Sequence, residues 1–447
     1  MKQPYEKPTI LRHVGGLANK HGRGPSRRSM GRIDGVRVEE LVARYGSPLY
    51  VFSEHTLRRA YRELHRAFSL RYPKVQLAWS YKTNYLDAIC RVFHQEGAWA
   101  EVVSEMEYDM ARRLGVPGHQ ILFNGPYKPQ AALKTAIDEG AHLHIDHWDE
   151  LWAIERIARE SGRPVPVTMR VNMDTGIYPR WDRFGFNLDS GEALDAIRRM
   201  HAGGHLTLDG LHAHIGTYIA STEAYGKAAS RLADLALTAR RELGVRVRSI
   251  DLGGGFASTA TLHAQYAPGA DSSPAVDLYA EAISNALLGA GFAPEDLPTL
   301  MLETGRALID EAGSLITSVV GNKRLANGTR SIIVDAGVNV LFTSFWYRHE
   351  LLPAHDRGGL LEETVVYGPL CMNIDVVHPS TLLPPLDPGD LLVVRPVGAY
   401  NITQSMQFIR LRPAVVMVGE GQQVDLLRDV ETVNDVKRNE HVPERLR

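Results

Sequence analysis

The feature that most constrains this chain is a rhythm. From residue 49 onward, short β-branched or apolar runs alternate with longer amphipathic stretches. Eight runs read as strands: 75–80 (VQLAWS), 99–103 (WAEVV), 120–123 (QILF), 142–145 (HLHI), 166–172 (PVTMRVN), 207–214 (TLDGLHAH), 248–252 (RSIDL) and 299–303 (TLMLE). The stretches between them, such as 128–139, 147–161 and 221–243, carry apolar residues at three- and four-residue spacing and read as helices. Parallel neighbours need helical crossovers, so the pattern predicts a closed (β/α)8 TIM-like barrel. An open doubly wound sheet is the alternative, and the count of eight favours the barrel.

After about residue 310 the rhythm changes. RSIIVDAG, ETVVYGPL, DLLVVRPV and QFIRLRPAVVMVG are strand-like, with turn signals such as Asp387-Pro388-Gly389-Asp390 and no long helix between them. The reading divides the chain into a basic N-terminal arm (1–31), a strand joining the later sheet (32–45), a barrel (46–310) and a C-terminal β domain (311–447). Lys2, Lys7, Arg12, Lys20, Arg23, Arg27, Arg28 and Arg32 mark the arm, against Glu6 alone. It lacks the apolar core of a secretory signal, so a surface arm is expected and an Arg-rich transit peptide is the alternative.

Composition narrows the function. A formal charge of −2 argues against nucleic acid or an anionic membrane as the main partner, and no run reaches the length of a membrane span. Two cysteines, Cys90 and Cys371, cannot build a disulfide framework and suit a reducing cytoplasm.

In a barrel the active site lies at the C-terminal ends of the strands. Those ends carry Lys82, Glu101, Asn124, Asp146, Arg170, Asn172, His212, His214, Thr217, Gly253-Gly254-Gly255, Glu303, Gly305 and Arg306. Singly these are weak signals: a lysine after a strand is usually solvated, and a triglycine is often a tight turn. Together they describe a rim suited to an anionic ligand, with glycine amides able to cradle a phosphate. No acidic set at metal-ligand spacing is evident, so no metal is expected. His212 and His214 share strand parity, which makes His212 a possible second pocket residue.

Eight segments in order carry a resemblance. SYKTN resembles A-V-K-A-N, HIDHWDEL resembles N-V-D-S-x-x-E-L, and GLHAHIGT resembles G-x-x-x-H-I-G-S. DLGGGF, ETGR, DAGVN, GPLC and GAY are similar to D-x-G-G-G-x, E-P-G-R, D-A-G-x-N, G-P-x-C and G-A-Y. These are motifs of the fold-type III decarboxylases that use pyridoxal 5′-phosphate (PLP), the group of diaminopimelate and ornithine decarboxylases, whose barrel-plus-β architecture is alanine racemase-like. The likeness spans residues 45–415.

The resemblance implies that Lys82 holds PLP as a Schiff base, that Glu303 faces the pyridine nitrogen and that His214 stacks on the ring. It places the phosphate among the amides of Gly253, Gly254 and Gly255, with Thr304, Gly305, Arg306 and Tyr400 nearby. Thr217 stands where the family has serine, and Arg170 matches an arginine near the phenolate side. Cys371 aligns with a cysteine that donates a proton in the neighbouring subunit's site, which implies a head-to-tail homodimer. Arg306, Tyr347, Met372, Asn373 and Tyr400 fall at substrate-facing positions.

Three departures concern the substrate. Thr343 stands where diaminopimelate decarboxylases carry the carboxylate-gripping arginine of R-P-x-x-Y, leaving Tyr347. Met372, then Asn373, replaces the acid that follows the cysteine, and Thr304 replaces the proline of E-P-G-R. The expectation is α-decarboxylation of a substituted, conjugated or carrier-tethered amino acid, similar to relatives in siderophore and natural-product pathways. Arg324, Arg348 and His349 are candidates for a relocated clamp. Diaminopimelate decarboxylase proper and an amino-acid racemase are the enzyme alternatives, and a non-catalytic PLP-binding homologue is the other class.

Overall fold

The computed structural model describes residues 28–447, so most of the basic arm lies outside the described residues. The segment 32–45 is not a strand. It is a two-residue hairpin, Arg32–Ile33 with Val36–Arg37, followed by helix Val38–Tyr45. The reason is spacing: Val38 and Leu41 bury one helical face, and Gly46 ends the helix at φ 83°. The strand that joins the C-terminal sheet is β1, Leu49–Ser53, buried along its whole length.

The barrel strands follow closely the runs read from sequence: β2 (Val75–Ser80), β3 (Trp99–Val102), β4 (Ile121–Phe123), β5 (His142–Ile145), β6 (Val165–Asn172), β7 (Leu206–His212), β8 (Ser249–Asp251) and β9 (Thr299–Thr304). Each is parallel to the next, and β9 pairs with β2 to close the ring. Outward residues pack under the helices; Trp79, for example, is fully buried and stacks on Phe93 at 4.1 Å. Burial of a side chain that large contributes about 3 kcal/mol. Inward residues make the barrel interior. Its lower layer is apolar, with Ala78, Leu122 and Met301 packed together against Trp99. Its upper layer is polar and forms the site.

The C-terminal region is a second sheet of β10 (Gly313–Arg324), β11 (Arg330–Val334), β12 (Glu350–Pro353), β13 (Glu362–Tyr367), β14 (Val376–Leu383), β15 (Leu391–Arg395), β16 (Ala414–Val418) and β17 (Val424–Arg428). The main path runs β14-β13-β11-β10-β1-β16-β17, with β15 pairing to both β10 and β12. This β-rich domain meets the barrel at its catalytic rim. Tyr400 N–H donates to the Thr83 carbonyl at 2.8 Å, and Thr403 Oγ1 donates to the Lys82 carbonyl at 2.8 Å. No helix among the described residues is long and apolar enough to cross a membrane.

Candidate active site

Strand alternation aims every second side chain into the barrel, and the upper inward layer is a ring of polar groups. Lys82 follows β2 in a single 3-10 turn and reaches Glu101 Oε2 on β3 at 2.6 Å. Glu101 is fully buried, also accepts from the Ser80 hydroxyl, and lies 3.3 Å from the Asn124 amide after β4. Asn124 donates in turn to Glu303 on β9. His144 on β5 and His212 on β7 complete the ring. Their Nδ1 and Nε2 stand 3.8 and 3.4 Å from the two Glu303 oxygens, with the imidazoles 4.9 Å apart.

Charge is unevenly distributed in this ring. Burial alone would lower the Lys82 pKa, but Glu101, Glu303 and Tyr400 raise it above the ordinary lysine value, so the amine is an ammonium in the free chain. Asp251, at the end of β8, is buried beside Glu303, and burial drives its carboxyl well above the usual range. Burial would raise Glu303 too, yet the Lys82 ammonium and the Asp251 proton outweigh it and hold Glu303 below its ordinary value. Of the two acids, Asp251 keeps the proton and Glu303 is ionised. Burial holds His144 and His212 well below the ordinary imidazole value, so both are neutral at pH 7.

The other end of the cavity is built for an anion. Arg306 is buried between the rings of Tyr347 and Tyr400, at 4.8 and 4.9 Å, and its Nη1 has no hydrogen-bond partner among the described residues. Asp310 lies 3.9 Å from the guanidinium and accepts from the Ser258 hydroxyl at 2.6 Å. Tyr400 adopts φ 67°, a left-handed conformation rare outside glycine, as position 400 bonds to Thr83.

The triglycine differs from expectation. Gly253 N–H donates to Asp251 and Gly254 N–H to His214 Nδ1, at 2.8 and 3.0 Å, so two of the three amides serve the protein itself. Gly254 and Gly255 have a packing reason to lack a side chain. A Cβ there would sit 2.2 Å from the Glu303 carbonyl or 2.1 Å from that of Gly216. Of the three amides, that of Gly255 alone makes no hydrogen bond among the described residues. Thr304 also needs correction: strand alternation turns it away from the cavity, and its hydroxyl lies 3.4 Å from the Ala78 carbonyl.

His214 packs edge-on against Trp181, 5.3 Å away at 75°, and its pKa is pushed down to about 3 by burial and by Arg170 and Lys82. Arg170 lies over Phe184 at 4.4 Å and reaches Asp146 at 3.5 Å. Thr217 is exposed at the rim beside Gly216.

The residues expected to face substrate from the C-terminal domain are not all brought here. Tyr347 and Tyr400 are; Cys371 and Asn373 are exposed, Met372 is half-buried, and no side-chain bond joins them to Lys82, Glu303 or Arg306 among the described residues. Their loop is nonetheless firmly held. Buried Asp375 accepts from Val338 N–H at 2.8 Å and Leu370 N–H at 2.7 Å, tying DAGVN to GPLC. Thr343 is buried and saturated, with its hydroxyl 3.0 Å from His349 Nε2 and 2.9 Å from Asn401 Oδ1. Arg324 is committed to Glu362 at the sheet edge and is no clamp.

Two further groups escaped sequence reading. Lys128 is fully buried and ties the carbonyls of Gly125 and His144 to Glu150, at 2.8, 2.9 and 2.7 Å. Glu150 also accepts from Asp146 N–H, so this clip sets the ends of β4 and β5. Asp251 was visible only as the first letter of its motif.

The comparisons with known proteins now decide the class. Residues 56–310 match the pyridoxal-dependent decarboxylase family, pyridoxal binding domain. The chain belongs to this family. A diaminopimelate decarboxylase of Methanothermobacter thermautotrophicus is 31% identical over 431 residues, covering 93% of this chain and 96% of that one. One from Archaeoglobus fulgidus is also 31% identical, over 92% and 97%. Among solved structures, diaminopimelate decarboxylase from M. jannaschii superposes with TM-score 0.85 at 28% identity, covering 93% of this chain and 96% of that chain. Its co-complex with L-lysine gives the same TM-score over 96% and 100%.

The enzyme is thus a PLP-dependent amino-acid decarboxylase. The residues present fit the cofactor. The orphaned buried Arg306 Nη1 and the Gly255 amide suit its phosphate, ionised Glu303 suits a protonated ring nitrogen, and Lys82 suits its aldehyde. When bound, it supplies the electron sink for the carbanion left by CO2.

Proposed function

We propose that the chain removes the α-carboxyl of an amino acid whose distal end is substituted or conjugated, rather than the free amino-carboxylate head of diaminopimelate. One observation carries this reading: Thr343, at the position of the family's carboxylate-gripping arginine, is sealed by His349 and Asn401. Met372 and Asn373 offer no charge beside Cys371, and Phe345 and Trp346 leave an apolar surface on the same segment, at 39% and 41% exposure. A distal ammonium or carboxylate would enter this region without a charged partner from these side chains.

In this reading Lys82 would hold the cofactor by its aldehyde and give way to the amine of the substrate. Glu303, kept ionised by protonated Asp251, holds the proton on the ring nitrogen. His214, held by Trp181 and the Gly254 amide, would pack against the cofactor ring. Arg306 and Gly255 bind the phosphate. Cys371, exposed on its own subunit, delivers the product's proton across a homodimer interface. The domain boundaries proposed with this reading are 46–310 for the barrel and 311–447 for the β domain, with β1 threaded into the latter.

Diaminopimelate decarboxylase proper is the second reading. It is favoured by relatives of that name at 31% identity over almost the full chain. CO2 release from diaminopimelate, ornithine and lysine, measured beside N-acylated and carrier-thioester amino acids, separates the two. Turnover of free diaminopimelate with the highest kcat/KM would overturn the first reading; a preference of about tenfold or more for a conjugated substrate would support it.

A further inference from the structure

The Glu303 ring holds an arrangement that decarboxylation does not require. Lys82 is paired with Glu101 at 2.6 Å and Arg170 with Asp146 at 3.5 Å. Glu303 instead faces two imidazoles, those of His144 and His212, at 3.8 and 3.4 Å. His144 Nδ1 and both nitrogens of His212 are buried without a hydrogen-bond partner. His144 is also a departure of this chain, since it stands where the family motif N-V-D-S has asparagine.

The spacing has a chemical meaning. Four ligands at about 2.0–2.1 Å around a tetrahedral ion lie about 3.4 Å from one another. The imidazole nitrogens are 3.4 and 3.8 Å from the Glu303 oxygens, and all three ligand atoms fall within 4.8 Å of one another. Imidazole and carboxylate donors together suit borderline divalent ions rather than Ca2+ or Mg2+. His144 Nδ1 and His212 Nε2 have no hydrogen-bond partner among the described residues, so both nitrogens are open to an ion beside the Glu303 oxygens.

We propose that, in the PLP-free chain, His144, His212 and Glu303 form a two-histidine, one-carboxylate site for a borderline divalent cation such as Zn2+ or Co2+. The ion and the cofactor would exclude each other, because Glu303 could not serve at once as a metal ligand and as the partner of the cofactor's ring nitrogen. The site makes cofactor loading sensitive to free metal, while the loaded enzyme is protected.

Cobalt titration of the full-length chain tests this directly. The protein is stripped of PLP and monitored by the visible d–d bands of Co2+, before and after PLP is restored. The expected result is one equivalent of Co2+ with absorption typical of nitrogen and oxygen ligands, abolished by prior loading with PLP. His144→Asn, which installs the family residue, should weaken cobalt binding by at least about tenfold. In the same variant, Zn2+ should no longer delay growth of the cofactor band, whereas in the parent EDTA should relieve that delay. His212→Gln serves as a second ligand variant if His144→Asn is unstable. Absence of binding, equal binding in loaded protein, unchanged affinity in folded ligand variants, or a thiolate-to-cobalt charge-transfer band placing the ion on a cysteine would each overturn the proposal.

Discussion

The polar end of the barrel and the loops of the C-terminal sheet that carry Thr343 and Cys371 are built on different principles. At the barrel end, strands β2 to β9 each contribute a buried polar group or a rim residue. On the sheet side, Cys371 and Asn373 are exposed and Thr343 is locked into a structural knot. The difference teaches where constraint lies. Cofactor chemistry needs a closed, desolvated set of charges, which one barrel can enclose. Cys371 and Asn373 stand on exposed loops, as the proposed sharing of a site between two subunits would need.

The largest effects should fall on the barrel side. Lys82→Ala should lower kcat by about a thousandfold or more and abolish borohydride-fixed cofactor, with the Glu101 pairing gone as well. A colourless chain that also fails to take up added PLP would break the cofactor half of the comparison. Glu303→Gln should cost about 10²- to 10³-fold in kcat, since it removes the charge opposite the ring nitrogen while keeping the side chain's shape. Retention of full kcat would mean that Asp251, and not Glu303, carries the charge.

The same side should be the more sensitive in stability. Lys128→Met leaves Glu150 buried and uncompensated at 4% side-chain exposure, which costs about 3 kcal/mol in urea unfolding. An unchanged midpoint would show that the ends of β4 and β5 are fixed without the clip.

A subunit-mixing experiment tests the proposed sharing of the site between two subunits. Lys82→Ala and Cys371→Ala chains, each impaired alone, should regain about a quarter of parental activity when unfolded and refolded together, because half of the dimers are hybrids with one intact site. No recovery would make each chain self-sufficient and remove the contrast drawn above.

Much of the barrel was legible because a strand's alternation and a helix's periodicity are local signals. All eight runs match observed strands to within one or two residues. The order of SYKTN, HIG, GGG and ETGR then located the site. What was not legible depends on proximity between strands distant in sequence. Lys128 and Asp375 look like surface charges until the fold buries them against Glu150 or against the amides of Val338 and Leu370. The metal-like grouping of His144, His212 and Glu303 has no sequence spacing at all, since β5, β7 and β9 supply one ligand each. The helix at 38–45 was missed for a local reason: its valines favour a strand by propensity, but their spacing places them on one helical face.

Acid stability gives the smallest and finest test, because both regions bury neutral histidines to different depths. On the barrel side His214 is pushed down to about 3 and His144 and His212 lie well below the ordinary value; in the sheet domain burial brings His349 and His378 down to about 4. A lowered folded-state value means that the unfolded chain binds more protons between that value and about 6.5, so stability falls as pH falls through this window. Each such histidine adds about 1.4 kcal/mol per pH unit to the slope while its window is open. Glu107 works in the opposite direction. Burial raises it to about 7, so the folded state holds the extra proton between about 4.5 and 7, and its contribution is lost as pH rises. The buried carboxyls of Asp251, Asp310 and Asp375 are raised too and act in the same sense as Glu107. Urea midpoints from pH 7.5 down to 4 should still decline, since the lowered histidines outnumber these carboxyls. His378→Gln, on the sheet side, should make the decline shallower by about one proton between pH 6.5 and 4 and leave the region below pH 4 unaltered. A slope unchanged by that substitution would show that His378 is protonated in the folded chain, and that the sheet side tolerates charge where the barrel floor does not.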